Sequence, residues 1–132
     1  MSAVKFSIPD ADAMRQFGRN IAALLQAGDV IILTGPLGAG KTTFTQGLAQ
    51  RLQVQGPVTS PTFVISRVHR SAVGGPSLVH VDAYRLSGID DLETLDLEAH
   101  MPYVLVMEWG KPFAQAVSDS WLDVTISRSD ES

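Results

Sequence analysis

Residues 30–42 read VIILTGPLGAGKT, an apolar run of strand length followed by Gly35-Pro36-Leu37-Gly38-Ala39-Gly40-Lys41-Thr42. The second part satisfies G-x-x-x-x-G-K-[ST] at every fixed position. At average residue usage that pattern arises by chance in under about 1% of chains this long. The segment after the loop is equally specific: Phe44, Leu48, Ala49 and Leu52 recur at helical spacing. A buried strand, a glycine turn and a helix in that order define a loop whose backbone N–H groups can turn inward around a phosphate. Leu37, Gly38, Ala39 and Gly40 supply that backbone. Lys41 is placed to reach the β and γ oxygens, the Thr42 hydroxyl to bind Mg²⁺, and the helix beginning near Lys41 adds its positive end.

The remaining pattern supports an α/β reading. Residues 4–8 (VKFSI) alternate and predict an edge strand ended by Pro9. Asp10 stands at a helix N-cap position, and Met14, Phe17, Ile21, Leu24 and Leu25 predict an amphipathic helix that runs to Gly28. Residues 55–61 read as a loop. Strands are predicted over 63–68, 78–82, 103–107 and 121–126, with Gly74-Gly75-Pro76 as a hairpin-like connection between the first two. Ile89, Leu92 and Leu95 predict a short acidic helix, and residues 127–132 a frayed tail.

With 132 residues, 45% of them hydrophobic, the chain suits one domain spanning 1–132, large enough for a three-layer fold. No cysteine is present, which removes disulfides, thiolate metal sites and cysteine nucleophiles together. Ten Lys plus Arg against fourteen Asp plus Glu give a net charge of -4, which argues against an autonomous nucleic-acid binder. No run approaches the length of a membrane span and no secretory leader is legible, so a cytoplasmic location is expected.

A nucleotide site needs carboxylates at the carboxyl ends of neighbouring strands, to hold Mg²⁺ and to position a water. Two predicted strands end that way. Asp82 closes LVHVD and is the candidate on the metal side, with a strand-terminal cap as its alternative. Glu108 comes directly after YVLVM and is the candidate for orienting the attacking water, with a solvated terminal charge as its alternative. His80 shares a strand face with Asp82, but reads as structural, since Mg²⁺ prefers oxygen ligands. Guanine-specific GTPases carry an Asn-Lys-x-Asp box, whereas the only asparagine here is Asn20, upstream of the loop. No internal arginine finger is evident, so hydrolysis is expected to be slow until partners complete the site.

Four blocks in order then resemble one family, the bacterial tRNA threonylcarbamoyladenosine biosynthesis ATPases TsaE, formerly YjeE. They are GPLGAGKTTFTQGLA (35–49), TSPTFVI (59–65), HVDAYRL (80–86) and EWG (108–110), and the likeness runs from about Phe17 to about Trp109. The resemblance implies a P-loop NTPase fold with a mixed, mostly parallel sheet between helices, ATP and Mg²⁺ as ligands, and a partner complex of TsaB and TsaD. That complex transfers threonylcarbamoyl to an adenosine of tRNA, and ATP hydrolysis supports its turnover. By resemblance, Lys41 and Thr42 are the phosphate and metal residues with Thr43 beside them, and Thr62 lies in a nucleotide-sensing segment. Asp82 and Glu108 are functional acids, Glu108 with Lys41 on the catalytic side and also near the metal, and Trp109 lies beside the nucleotide. A small-molecule phosphotransferase and a non-hydrolysing, nucleotide-dependent regulatory module remain the alternatives.

Overall fold

A computed structural model of the chain describes residues 4–36, 40–58, 66–97 and 101–127. Among the described residues, eleven short elements supply five strands and the helices around them. In chain order these are α1 (Ala11–Ala22), β1 (Val30–Thr34), α2 (Lys41–Leu52), β2 (Ser66–His69) and β3 (Ser77–Asp82). A 3-10 turn (Ala83–Arg85), α3 (Ile89–Glu93), β4 (Tyr103–Glu108), a second 3-10 turn (Lys111–Phe113), α4 (Ala114–Val117) and β5 (Leu122–Thr125) complete the order. The sheet runs β2-β3-β4-β1-β5. Of these strands only β2 is antiparallel to its neighbour, as the glycine-rich 74–76 connection requires.

The two continuous apolar runs, β1 and β4, lie side by side in the middle, because strands covered on both faces need apolar residues at every position. Their side chains alternate between two cores. Ile31, Leu33, Leu78, Val104 and Val106 face Phe44 and Leu48 of α2, whereas Val30, Ile32, Val79, Val81, Leu105 and Met107 face Leu92 of α3 and Ala114 of α4. Helices on both faces of the mostly parallel sheet make the three layers of a P-loop NTPase fold.

α1 lies against α2 rather than on the sheet alone, and two glycines set how near. A Cβ at Gly18 would overlap the Phe44 carbonyl oxygen, and one at Gly47 would overlap the Arg15 carbonyl oxygen. Asp10 caps α1 as its position implied, accepting from the Ala13 amide at 2.8 Å. The helix stops at Ala22, short of the expected Gly28. There the hydrogen bonds tighten to i−3, Leu24 to Ile21 and Leu25 to Ala22, and Leu24 points to solvent.

Residues 4–8 form no strand. Phe6 instead stacks on Phe17, with ring centroids 5.1 Å apart, and Phe17 in turn lies 5.8 Å from Phe44. A five-residue alternation cannot distinguish pairing with a sheet edge from packing on a helix, and here the aromatic contact decides. β3, β4 and β5 fall within a residue or so of their expected limits. For β2 the described part is Ser66–His69, and residues 63–65 of its expected range lie outside the described residues, as does most of the 127–132 tail. The two 3-10 turns and α4 were not expected, being too short to show a period. Among the described residues no helix is long and apolar enough to cross a membrane.

Candidate nucleotide-binding site

The parallel arrangement gathers the carboxyl ends of β1, β3 and β4 at one sheet edge, and α2 begins there. Gly40 is its N-cap with φ of +110°, a left-handed conformation that a side chain resists. The turn at Gly40 starts the helix on Lys41, and Thr42 and Thr43 occupy its first turn, both half-buried. Leu37, Gly38, Ala39 and Thr62 lie outside the described residues.

Lys41 is buried at 8% exposure, and its Nζ lies 3.4 Å from Glu108 Oε1. The same ammonium sits 4.5 Å from the centre of the Trp109 ring, over its face. Glu108 is itself 5% exposed, so it is no solvated end-of-strand charge. Its second oxygen, Oε2, accepts a 2.6 Å hydrogen bond from Nε2 of His80, which is wholly buried on the next strand. Burial pushes the Glu108 carboxyl up, but the His80 hydrogen bond and charge and the Lys41 ammonium outweigh it and hold its pKa below the ordinary value. Glu108 is therefore a carboxylate with both oxygens engaged.

Asp82 is the register partner of Glu108 on the parallel neighbour β3, about 4.8 Å away in the hydrogen-bonding direction. Its Oδ1 accepts from the Tyr84 amide at 3.1 Å and so caps the 3-10 turn that carries Tyr84 outward. The expected alternative for Asp82, a strand-terminal cap, is thus part of its role. Capping leaves the acid at the same sheet edge as the N-terminus of α2.

Trp109 adopts φ of +58°, unusual for a residue with a side chain, while its amide donates to the Leu33 carbonyl at 2.9 Å. That bond continues the β1–β4 ladder one residue past Glu108 and directs the indole over Lys41. Tyr84, 76% exposed, meets the indole edge-on with ring centroids 6.0 Å apart. Beside them a pocket of about 370 Å³ is lined by Thr34, Tyr84, Leu86, Trp109, Pro112 and Phe113, among others. Sequence reasoning assigned His80 to structure and nothing to Tyr84. The i, i+2 spacing of His80 and Asp82 signalled a shared face, but not that Glu108 would be opposite.

By chemical type, the donors offered at this edge suit a hard cation. Thr42 offers a hydroxyl and Asp82 a carboxylate, both oxygen ligands of the kind Mg²⁺ selects alongside phosphate oxygens. Glu108 fits a direct metal contact only once Lys41 leaves Oε1, because the ammonium and the imidazole hold both of its oxygens.

A strand, a glycine turn and a helix, set at the carboxyl edge of a mostly parallel sheet with a buried lysine and carboxylate, define a protein of the P-loop NTPase class. Residues 8–132 match the family model "Threonylcarbamoyl adenosine biosynthesis protein TsaE", and the chain belongs to that family. It is 53% identical to the tRNA threonylcarbamoyladenosine biosynthesis protein TsaE of Streptomyces coelicolor over 118 residues, covering 88% of this chain and 80% of that protein. The TsaE protein of Mycobacterium tuberculosis is 42% identical over 130 residues, covering 92% of this chain and 77% of that protein. The crystal structure of Bacillus subtilis YdiB superposes with a TM-score of 0.71 at 30% identity, over 93% of this chain and 75% of that one.

Proposed function

We propose that this chain binds ATP with Mg²⁺ at residues 35–42 and hydrolyses it, as the ATP-consuming component of tRNA threonylcarbamoyladenosine formation in the cytoplasm. The observation that carries the reading is the convergence of Lys41, Glu108 and Trp109 at the N-terminus of α2. Its partners are the TsaB and TsaD proteins, whose turnover the hydrolysis supports. tRNA is met only through them, in keeping with a net charge of -4.

In this reading the loop amides at 37–40 and the Lys41 ammonium hold the β and γ phosphates, and Thr43 supports the same turn. Lys41 gives up Glu108 Oε1 to reach the phosphate, and Glu108, a carboxylate at neutral pH, then accepts a hydrogen bond from the attacking water and aligns it. Thr42 and Asp82 would hold Mg²⁺, with Glu108 near it. When bound there, Mg²⁺ would supply charge neutralisation for the transferring phosphoryl group. Thr62 senses the γ phosphate, and Trp109 covers the site on the side of the pocket. The sequence shows no evident internal arginine finger, so hydrolysis is slow until partners bind.

Phosphate release from ATP and Mg²⁺, measured with and without TsaB, TsaD and tRNA, tests the proposal. Release stimulated by the partners is expected. Tight nucleotide binding with no release under any condition would instead identify a regulatory module, and release coupled to a phosphorylated metabolite a phosphotransferase.

A further inference from the structure

We propose that His80 is a positioning residue for Glu108: its imidazole fixes the carboxylate so that Oε1 keeps facing the phosphate loop after Lys41 has turned to the nucleotide. This rests on the reading of Glu108 as the group that aligns water. The geometry is specific. His80 lies wholly buried on β3, in register with Val106 on one side and Arg67 on the other, so its backbone is fixed by two neighbouring strands. Glu108 is two residues beyond Val106, on the same face of the adjoining strand, and the two long side chains meet diagonally at 2.6 Å. Because a carboxylate only accepts, Nε2 carries the hydrogen and donates it.

The other ring nitrogen argues against a role in packing alone. Nδ1 of His80 is buried with no hydrogen-bond partner among the described residues. An unsatisfied buried polar atom is costly, so an aliphatic side chain would fill this interior position more cheaply. What the imidazole supplies and an aliphatic residue cannot is the donor to Glu108. Lys41 cannot replace it, since a flexible ammonium that also serves the phosphate leaves the carboxylate whenever nucleotide binds. A buried carboxylate without any partner would be costly and free to turn away. The rigid ring removes both problems without competing for the phosphate.

The test uses the full chain with its partner proteins and tRNA, and the variants His80→Leu, His80→Asn and His80→Gln. Glutamine can present an amide N–H near the place of Nε2, whereas asparagine is too short and leucine has no donor. Leucine and asparagine are expected to lower kcat at least tenfold, with KM for ATP and the Kd of ADP within about threefold of the parent, and glutamine to restore most of the rate. Parental kcat in His80→Leu or His80→Asn would overturn the proposal, as would equal losses in all three variants. Crystal structures of the variants with a bound non-hydrolysable ATP analogue, in which Lys41 has turned to the phosphates, give a readout independent of hydrolysis. Glu108 Oε1 should turn away from the phosphate loop in His80→Asn and keep facing it in His80→Gln, and an unmoved carboxylate in His80→Asn would overturn the proposal. If the parental chain with partners releases no phosphate, the hydrolytic reading fails by itself, and the Glu108 position still decides whether His80 holds it.

Discussion

Lys41 Nζ and Glu108 Oε1 stand 3.4 Å apart, both buried, with His80 on the far oxygen of the carboxylate. The lysine proposed to hold the phosphate is thus occupied by the acid proposed to act on water. In the proposed function, nucleotide binding exchanges one partner of Lys41 for another.

Glu108→Gln keeps the shape and removes the charge. It is expected to slow hydrolysis by about 10²–10⁴-fold, the usual contribution of a positioned base. ATP should bind several-fold more tightly, because the competitor for Lys41 and a negative charge facing the phosphates are both lost. Calorimetric titration beside a phosphate-release assay checks both; weaker ATP binding would contradict the exchange.

Lys41→Ala removes the main cation of the loop. Charge-assisted hydrogen bonds to phosphate contribute about 1.5–3 kcal/mol, so ATP affinity should fall by at least about tenfold. Thermal stability should change much less than affinity, and a melt with and without ATP reads both.

Trp109 lies under the Lys41 ammonium at 4.5 Å, and its emission should register the departure of that charge. In a Trp121→Phe background Trp109 is the sole tryptophan. ATP is then expected to shift its fluorescence, and Lys41→Ala to shift the nucleotide-free emission in the same direction. Unchanged emission on saturation with ATP would show that Lys41 keeps its place over the ring.

Gly47 marks the α1–α2 contact. Alanine is worth about 1 kcal/mol more than glycine in a helix interior. Here its Cβ would overlap the Arg15 carbonyl oxygen, and the backbone on both sides cannot yield cheaply. Gly47→Ala should therefore destabilise, by about 1–3 kcal/mol as for other overpacked sites, measured by denaturant unfolding.

His69 gives stability a pH dependence. Burial lowers its pKa from the ordinary 6.5, and the nearby charges of His80 and Arg67 lower it further against a hydrogen bond with the Gln55 backbone. Below about pH 6.5 the unfolded chain takes up a proton that the folded chain resists. Stability is accordingly lost as pH falls through that value, with a slope under about 1.4 kcal/mol per pH unit, the limit for one proton. The loss levels off once the folded form is protonated too. His69→Gln should flatten the pH 5–7 part of a stability profile; an unchanged profile would contradict the assignment.

The strand and the helix around Lys41 were legible because each local pattern states its own structure: an apolar run buried on both faces, a glycine at the turn into the helix, and a helical period after it. Asp82 and Glu108 were legible as acids at strand ends for the same reason. The edge strand expected at residues 4–8 was not formed, because Phe6 found an aromatic partner on α1 and no local signal distinguishes that from strand pairing.

What the sequence by itself determined is the fold class and which residues stand at the carboxyl edge of the sheet, since periodicity and motif spacing are properties of the chain. The tertiary structure alone decided the partners of those residues. The register that sets His80 diagonal to Glu108, the ladder bond that turns Trp109 over Lys41, and the glycine contact between α1 and α2 all join segments distant along the chain. Such contacts depend on how strands align and how closely helices approach, and those distances are settled only when the whole core packs.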